Sequence, residues 1–157
     1  MEESNALVDA ARDRVEVLYR DHGDRLWRAV MGFAGERSVA DDAVAEAFAQ
    51  LLRRGDEVRD PAGWVWRAAF RIAAGDLQQG RTTDPVDIER AVEDPEPVWG
   101  LLSALRGLSE QQRAIVILRD YAGHSGASTA RILGTSEPTV RVQLSRARRA
   151  LRRELSR

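Results

Sequence analysis

The chain has 157 residues, 43% hydrophobic and 31% charged, with a formal net charge of −1 and no cysteine. That length fits one ordinary domain or two small ones; the missing cysteine excludes a disulfide framework, a thiolate metal site and a cysteine nucleophile, and no apolar run reaches the roughly 18 residues of a membrane span. The near-zero charge conceals an asymmetry, because residues 1–98 hold 21 acids against 13 arginines (net −8) and residues 99–157 hold 4 acids against 11 arginines (net +7).

Taken in order, the elements are helical throughout. Leu7, Ala11, Val15 and Leu18 recur at helical spacing across Asn5 to Asp21. Gly23-Asp24 is expected to break that helix, with Asp24 capping a second one that carries Leu26, Val30 and Phe33 and stops at Gly35. Ser38, with Asp41 three residues on, offers a weak capping box for a third helix to about Arg54, its apolar face formed by Val44, Phe48, Leu51 and Leu52. Asp60-Pro61 is a strong start signal, a capping carboxylate before a first-turn proline. The helix it opens carries Trp64, Val65, Ala68, Ala69 and Ile72 to near Gln79.

From Gly80 to Pro97 the periodicity fades, three prolines appear and acids dominate, which reads as a flexible linker with at most one helical turn near Ile88 to Val92. The expected organisation is therefore two small all-α domains, 1–79 and 99–157, joined by an acidic linker, 80–98. In the second domain, Trp99, Leu102 and Leu105 mark a short helix. Ser109 and Gln112 form a capping box for the next, which buries Ile115 and Leu118 and ends at Gly123. Ser125 starts a short helix through Ala130 and Leu133. Gly134-Thr135 turns the chain, and Ser136 caps a long last helix with an apolar stripe of Val140, Leu144, Ala147, Leu151 and Leu155.

A short helix, a glycine turn and a longer helix make a helix-turn-helix. From Arg131 to the end there are eight arginines and two acids, and Arg141, Arg146, Arg148, Arg149, Arg152 and Arg153 sit off the apolar stripe. A solvated helix face ordinarily mixes both signs, so this one-sided face points to DNA: the N-terminal half entering the major groove, where arginine reads guanine edges, and the C-terminal arginines gripping phosphates. All 24 basic residues are arginine, a bias that genome composition explains more simply than function. The only histidines, His22 and His124, stand in expected turns, and no phosphate loop or catalytic constellation accompanies them. No enzyme, metal or cofactor is expected.

The stretch Ala130 to Leu151, with Leu108 to Arg119 before it, closely resembles the fourth region of bacterial sigma factors of the extracytoplasmic-function (ECF) type, within the sigma-70 family. Asp42, Val44, Glu46 and Phe48 resemble that family's core-binding helix, and Trp64-Val65 through Arg71 its minus-10 helix. The resemblance covers about 18–79 and 99–155. It implies an alternative sigma factor: a cytoplasmic, non-enzymatic subunit that binds core RNA polymerase, directs initiation at promoter DNA, and is commonly held by an anti-sigma factor. It implies core-polymerase contacts at Asp41, Asp42, Val44, Ala45, Glu46 and Phe48. It implies minus-35 contacts at Ser136, Thr139, Arg141, Val142, Gln143, Ser145, Arg146 and Arg149.

At the minus-10 element, a base flipped from the stack would sit in a pocket between the loop before Pro61 and the helix after it. Trp66 and Phe70, off the Trp64–Ala68–Ile72 stripe, are candidates for stacking on single-stranded DNA, the other reading being ordinary core, and Arg67 and Arg71 lie where they could take backbone phosphate. The linker carboxylates (Asp84, Asp87, Glu89, Glu93, Asp94, Glu96) would imitate RNA phosphates in the polymerase channels, the other reading being a self-repelling spacer.

The chain departs from the family pattern at Val39, Ala43 and Ala45, where polymerase contacts would change. It departs again at Gly75 to Gln79, and at Thr129, Val142, Gln143 and Ser145, which are expected near the DNA bases. The residues alone leave open a freestanding helix-turn-helix regulator or a degenerate sigma-like protein that only binds partners.

Overall fold

A computed structural model describes residues 1–80 and 96–157. The acidic stretch 81–95, with Asp84, Asp87, Glu89, Glu93 and Asp94, and the turn expected near Ile88, lie outside the described residues. The described residues are helical and contain no strand: α1 (Glu2–Ala34), α2 (Arg37–Arg54), a 3-10 turn (Gly55–Glu57), α3 (Pro61–Gln78), α4 (Glu96–Arg106), α5 (Glu110–Val116), a π-helical turn (Ile117–Tyr121), α6 (Gly126–Leu133) and α7 (Glu137–Leu155).

The front half is three mutually packed helices, α1, α2 and α3. Ala29, Ala40, Ala43, Ala47 and Ala69 are all fully buried, and such small side chains let helix axes approach closely while Leu26, Val30, Leu51 and Val65 fill the space between them. The expected break at Gly23-Asp24 does not occur; α1 runs through it for 33 residues. Glycine costs a helix interior only about 1 kcal/mol. Packing by Leu26, Ala29, Val30 and Phe33 just beyond outweighs that cost, and Gly23 itself is buried beside the Tyr19 ring. The first turns of α1 project from the body and are exposed. Gly35 then closes α1 in the left-handed region (φ 74°), and α2 starts at Arg37 with Glu36 as its cap, two residues ahead of the expected Ser38. Helix α3 follows the sequence signal: the Asp60 carboxylate accepts the Gly63 N–H at 3.2 Å, with Pro61 in the first turn.

In the back half α4, α5 and α6 pack on α7. The Ser109–Gln112 capping box is formed in both directions, and Ser125 and Ser136 cap α6 and α7. Gly134 (φ 66°) takes the left-handed turn between them, and the N–H of Thr135 reaches back to the Ala130 carbonyl at 2.9 Å. Two features have no sequence signal. Helix α4 begins at Glu96, inside the segment read as linker, and α5 widens into the π turn, where the Ala122 N–H bonds the Ile117 carbonyl five residues back. The apolar stripe of α7 also ends earlier than expected: Leu151 is half-buried and Leu155 exposed.

The two halves touch. Helix α3 packs on α6, and the C-terminal part of α1 meets the π turn, α4 and α5. Gly32 makes room for Ile117, whose Cδ1 lies 3.4 Å from where a Cβ on Gly32 would stand. The half-buried Arg113 donates from Nε to the Phe33 carbonyl at 2.7 Å and lies over the Phe33 ring.

Candidate nucleic-acid and polymerase interfaces

On α7, Arg141, Val142, Ser145, Arg146 and Arg149 are exposed and follow one another at helical spacing opposite the buried Val140, Leu144 and Ala147. Val142 is 48% exposed, an apolar side chain held out among arginines as a thymine methyl would require. Ser136 and Thr139 serve the first turn: the Ser136 hydroxyl accepts the Thr139 N–H at 3.3 Å and bonds the Thr139 hydroxyl at 2.9 Å.

Two polar residues of α7 bond back to the rest of the back half instead, Gln143 half-buried and Arg148 at the surface. The Gln143 carbonyl accepts from Gln112 Nε2 at 3.0 Å. Arg148 makes a two-pronged pair with Asp120 (3.0 and 2.5 Å), which holds that carboxyl below its ordinary range. Arg148 is therefore a strut tying α7 to the π turn, and Arg146, Arg149, Arg152 and Arg153 are exposed without such a tie. Thr129, expected near the bases, is fully buried, and its hydroxyl has no hydrogen-bond partner. Its first helix turns that position into the core, where an aliphatic side chain would fit better.

On α2, Asp41, Asp42, Ala45 and Glu46 are exposed, and Val44 and Phe48 are buried in the three-helix core. The Asp41 carboxylate accepts the Trp27 indole N–H at 2.7 Å. Gln50 and then Arg53 donate to Glu46 at 3.0 Å and hold its carboxyl below the ordinary value. Leu52, assigned from sequence to the apolar face, is 46% exposed and extends the Asp42–Ala45–Glu46 row by two turns. Adjacent Leu51 fills the core, and one step of about 100° along a helix moves Leu52 outward. Val39 and Ala43 are buried, so those two departures from the family pattern alter packing; Ala45 is the one that faces outward.

On α3 the core reading of the two aromatics is the one that holds, against the stacking reading. Trp66 and Phe70 are each 2% exposed. Phe70 packs on Phe33, and Trp66 lies between Phe70 and His124 of the back half, 4.6 Å from the imidazole in an edge-on arrangement. The buried stripe of α3 is broader than the Trp64–Ala68–Ile72 line because three neighbours, α1, α2 and α6 of the back half, cover it from different sides. Arg67 and Arg71 are exposed as expected.

An open cleft of about 320 Å³ lies between the loop before Pro61, α3 and α6. Arg54, Arg59, Arg67 and Arg131 line it, with Trp64 on its wall and the Arg54 guanidinium 5.8 Å over the indole. Arg54, Arg59 and Arg131 were not singled out from sequence; they meet only because the chain folds back from the second half. Among the described residues no helix is long and apolar enough to cross a membrane.

A helical protein whose C-terminal helix-turn-helix presents an arginine face, behind an Ala-packed three-helix unit, falls in the class of DNA-binding transcription proteins. The pattern of Sigma-70, region 4, matches residues 100–151. The chain is 30% identical to the ECF RNA polymerase sigma factor SigL of Mycobacterium tuberculosis, covering 94% of this chain and 90% of SigL. It is 32% identical to SigM of the same species, covering 98% and 86%. It is 31% identical to BldN of Streptomyces coelicolor, where it spans only 59% of the relative's length. Its fold is similar to that of CnrH, solved in complex with the cytosolic domain of CnrY (TM-score 0.73, 24% identity, 96% of each chain covered). It is likewise similar to RpoE of Bartonella quintana, solved with the anti-sigma factor NepR (TM-score 0.73, 18% identity, 92% of this chain and 96% of that one). The chain belongs to the ECF sigma factor family of transcription initiation factors.

Proposed function

We propose that the chain binds core RNA polymerase through the exposed row Asp42–Ala45–Glu46–Leu52 of α2, with Asp41 at its edge, and carries it to promoters. Helix α7 reads the minus-35 element with Arg141, Val142, Ser145, Arg146 and Arg149. The front half acts at the minus-10 element, where the pocket between the loop before Pro61 and α3 takes a flipped base, and Arg67 and Arg71 hold the strand's phosphates. The division of labour follows the two units, 1–79 and 99–157, and works in the cytoplasm without catalysis by the chain itself. An anti-sigma factor is a natural partner, since RpoE was solved bound to one.

The observation that carries this reading is the exposed row Val142–Ser145–Arg146–Arg149 on the second helix of a helix-turn-helix, in a chain matching ECF sigma factors over nearly its whole length. Its test on the polymerase side is the affinity of the chain for core enzyme. Leu52→Glu should weaken binding at least about tenfold, the effect of burying one uncompensated charge at a contact. An unchanged affinity would remove this face of α2 from the complex.

A further inference from the structure

Gln143 stands at the flank of the exposed row of α7, half-buried, one turn beyond Thr139 and three residues before the exposed Arg146. Its side-chain amide has a fixed polarity. A backbone N–H can only donate, so the Ser109 N–H, which meets the Gln112 side chain at 3.4 Å in the capping box of α5, meets its oxygen. The Gln112 backbone N–H bonds the Ser109 hydroxyl at 3.1 Å, which closes the box from the other side. With its oxygen engaged there, Gln112 turns its NH2 group toward α7 and donates from Nε2 to Gln143 Oε1 at 3.0 Å. Gln143 then keeps its oxygen inward and its own NH2 group outward, where it bonds nothing among the described residues.

An unanchored glutamine amide turns over to suit its partner and pairs with adenine, which offers both a donor and an acceptor. One held with its N–H groups outward suits acceptors alone. We propose that Gln143 is a further DNA-contacting residue at the minus-35 element, that it acts there only as a donor, and that Gln112 is the positioning residue that sets this polarity from outside the helix-turn-helix. The inference rests on the sigma reading and deepens it. The partner is a hydrogen-bond acceptor of the duplex, either a guanine edge or a backbone phosphate. The relay Ser109–Gln112–Gln143 is in place before DNA arrives, so little side-chain freedom is lost on binding.

The relay can be reversed without breaking the cap. Gln112→Glu keeps an oxygen for the Ser109 N–H, since glutamate serves this capping box as glutamine does. Its second oxygen can only accept, which turns Gln143 over and presents the Gln143 oxygen to DNA. The test uses four full-length chains with core polymerase: wild type, Gln112→Glu, Gln143→Ala and the double variant. It reads the start sites made on genomic DNA and the affinity of each holoenzyme for the promoters so mapped. With a guanine as partner, Gln112→Glu should shift one position of the upstream element from guanine toward adenine or cytosine, whose exocyclic N–H groups donate, by about tenfold. Gln143→Ala should relax that same position.

With a phosphate as partner, sequence choice should stay. Gln112→Glu should then weaken binding to every promoter about tenfold more in the otherwise wild-type chain than in one that also carries Gln143→Ala. That comparison cancels the repulsion the added carboxylate itself exerts on DNA. An effect of Gln112→Glu that is the same with and without Gln143→Ala, in both readouts, overturns the relay and leaves the sigma reading standing. A wild-type chain that produces no discrete start sites overturns the sigma reading, and the relay's role with it.

The polarity is also readable without DNA or polymerase. In amide NMR spectra of the free chain, the side-chain N–H protons of Gln112 should exchange slowly with water and those of Gln143 fast, the latter identified by their loss in Gln143→Ala. Gln112→Glu should slow the Gln143 pair. Slow exchange of the Gln143 pair in the wild-type chain would show the opposite polarity and overturn the proposal.

Discussion

Thr129 and His124 show how single side chains report their surroundings. Thr129 buries a hydroxyl with no partner, so Thr129→Val keeps the shape and removes the desolvation cost. Stability should rise by about 1 kcal/mol, or about 2–4 °C in a thermal melt. An unchanged or lower melting temperature would mean that the hydroxyl is bonded in solution.

His124 is half-buried between Trp66 and Ser128, facing Arg25 and His22 of α1 and with Arg119 donating to its own carbonyl. Burial first, and then those positive neighbours, push its pKa below 6.5. The folded chain therefore binds fewer protons here than the unfolded chain. This contribution is complete above the unfolded value and declines as pH falls through 6.5 toward the folded one. The urea midpoint should drop between about pH 7.5 and 5.5, and His124→Gln should flatten that drop. Asp120, whose carboxyl is held low by Arg148, titrates below this window and does not confuse it. A midpoint that falls equally in both chains would assign the effect elsewhere.

At the scale of elements, the caps and the strut make opposite predictions for similar substitutions. A Cβ on Gly63 would collide with the Asp60 carboxylate that caps α3, whereas one on Gly75 meets open space. Gly63→Ala should cost about 1 kcal/mol in urea unfolding and Gly75→Ala should gain up to about as much. Two arginines of α7 divide in the same way. Arg152→Ala should reduce the salt dependence of promoter-duplex binding by about one unit of slope if it meets a phosphate, whereas Arg148→Ala, bound to Asp120, should leave the slope in place. Equal slopes for both variants would take Arg152 out of the interface.

Element starts and stops marked by local chemistry were legible before the fold: Asp60-Pro61, Ser109 with Gln112, Ser125, Gly134 and Ser136 each act within four residues. Three things were not. Gly23 was read as a breaker because the packing that overrides it comes from α2 and α3. The π turn has no composition of its own. Trp66 and Phe70 were left between surface and core because helical spacing places residues on a face but does not say which faces have a further neighbour.

For the whole molecule, the charge division now has a spatial form. The basic surplus concentrates on the outward face of α7, and the acids of α2 stand on a separate face with Leu52 among them. The exposed row of α7 was legible because it lies along one helix, whereas on α2 Leu52 was placed on the apolar face and Val44 and Phe48 prove buried. The cleft between α3 and α6, with Arg54, Arg59 and Arg131, was not legible, because its walls are joined by no sequence period.

The central claim is that this chain gives core polymerase its promoter choice. It is tested most directly by mapping the 5′ ends of transcripts made from genomic DNA by core polymerase with and without the chain. Addition of the chain should produce a discrete set of start sites sharing two upstream elements, and Arg146→Ala should relax the sequence of the upstream one. Start sites that are the same with and without the chain would contradict it.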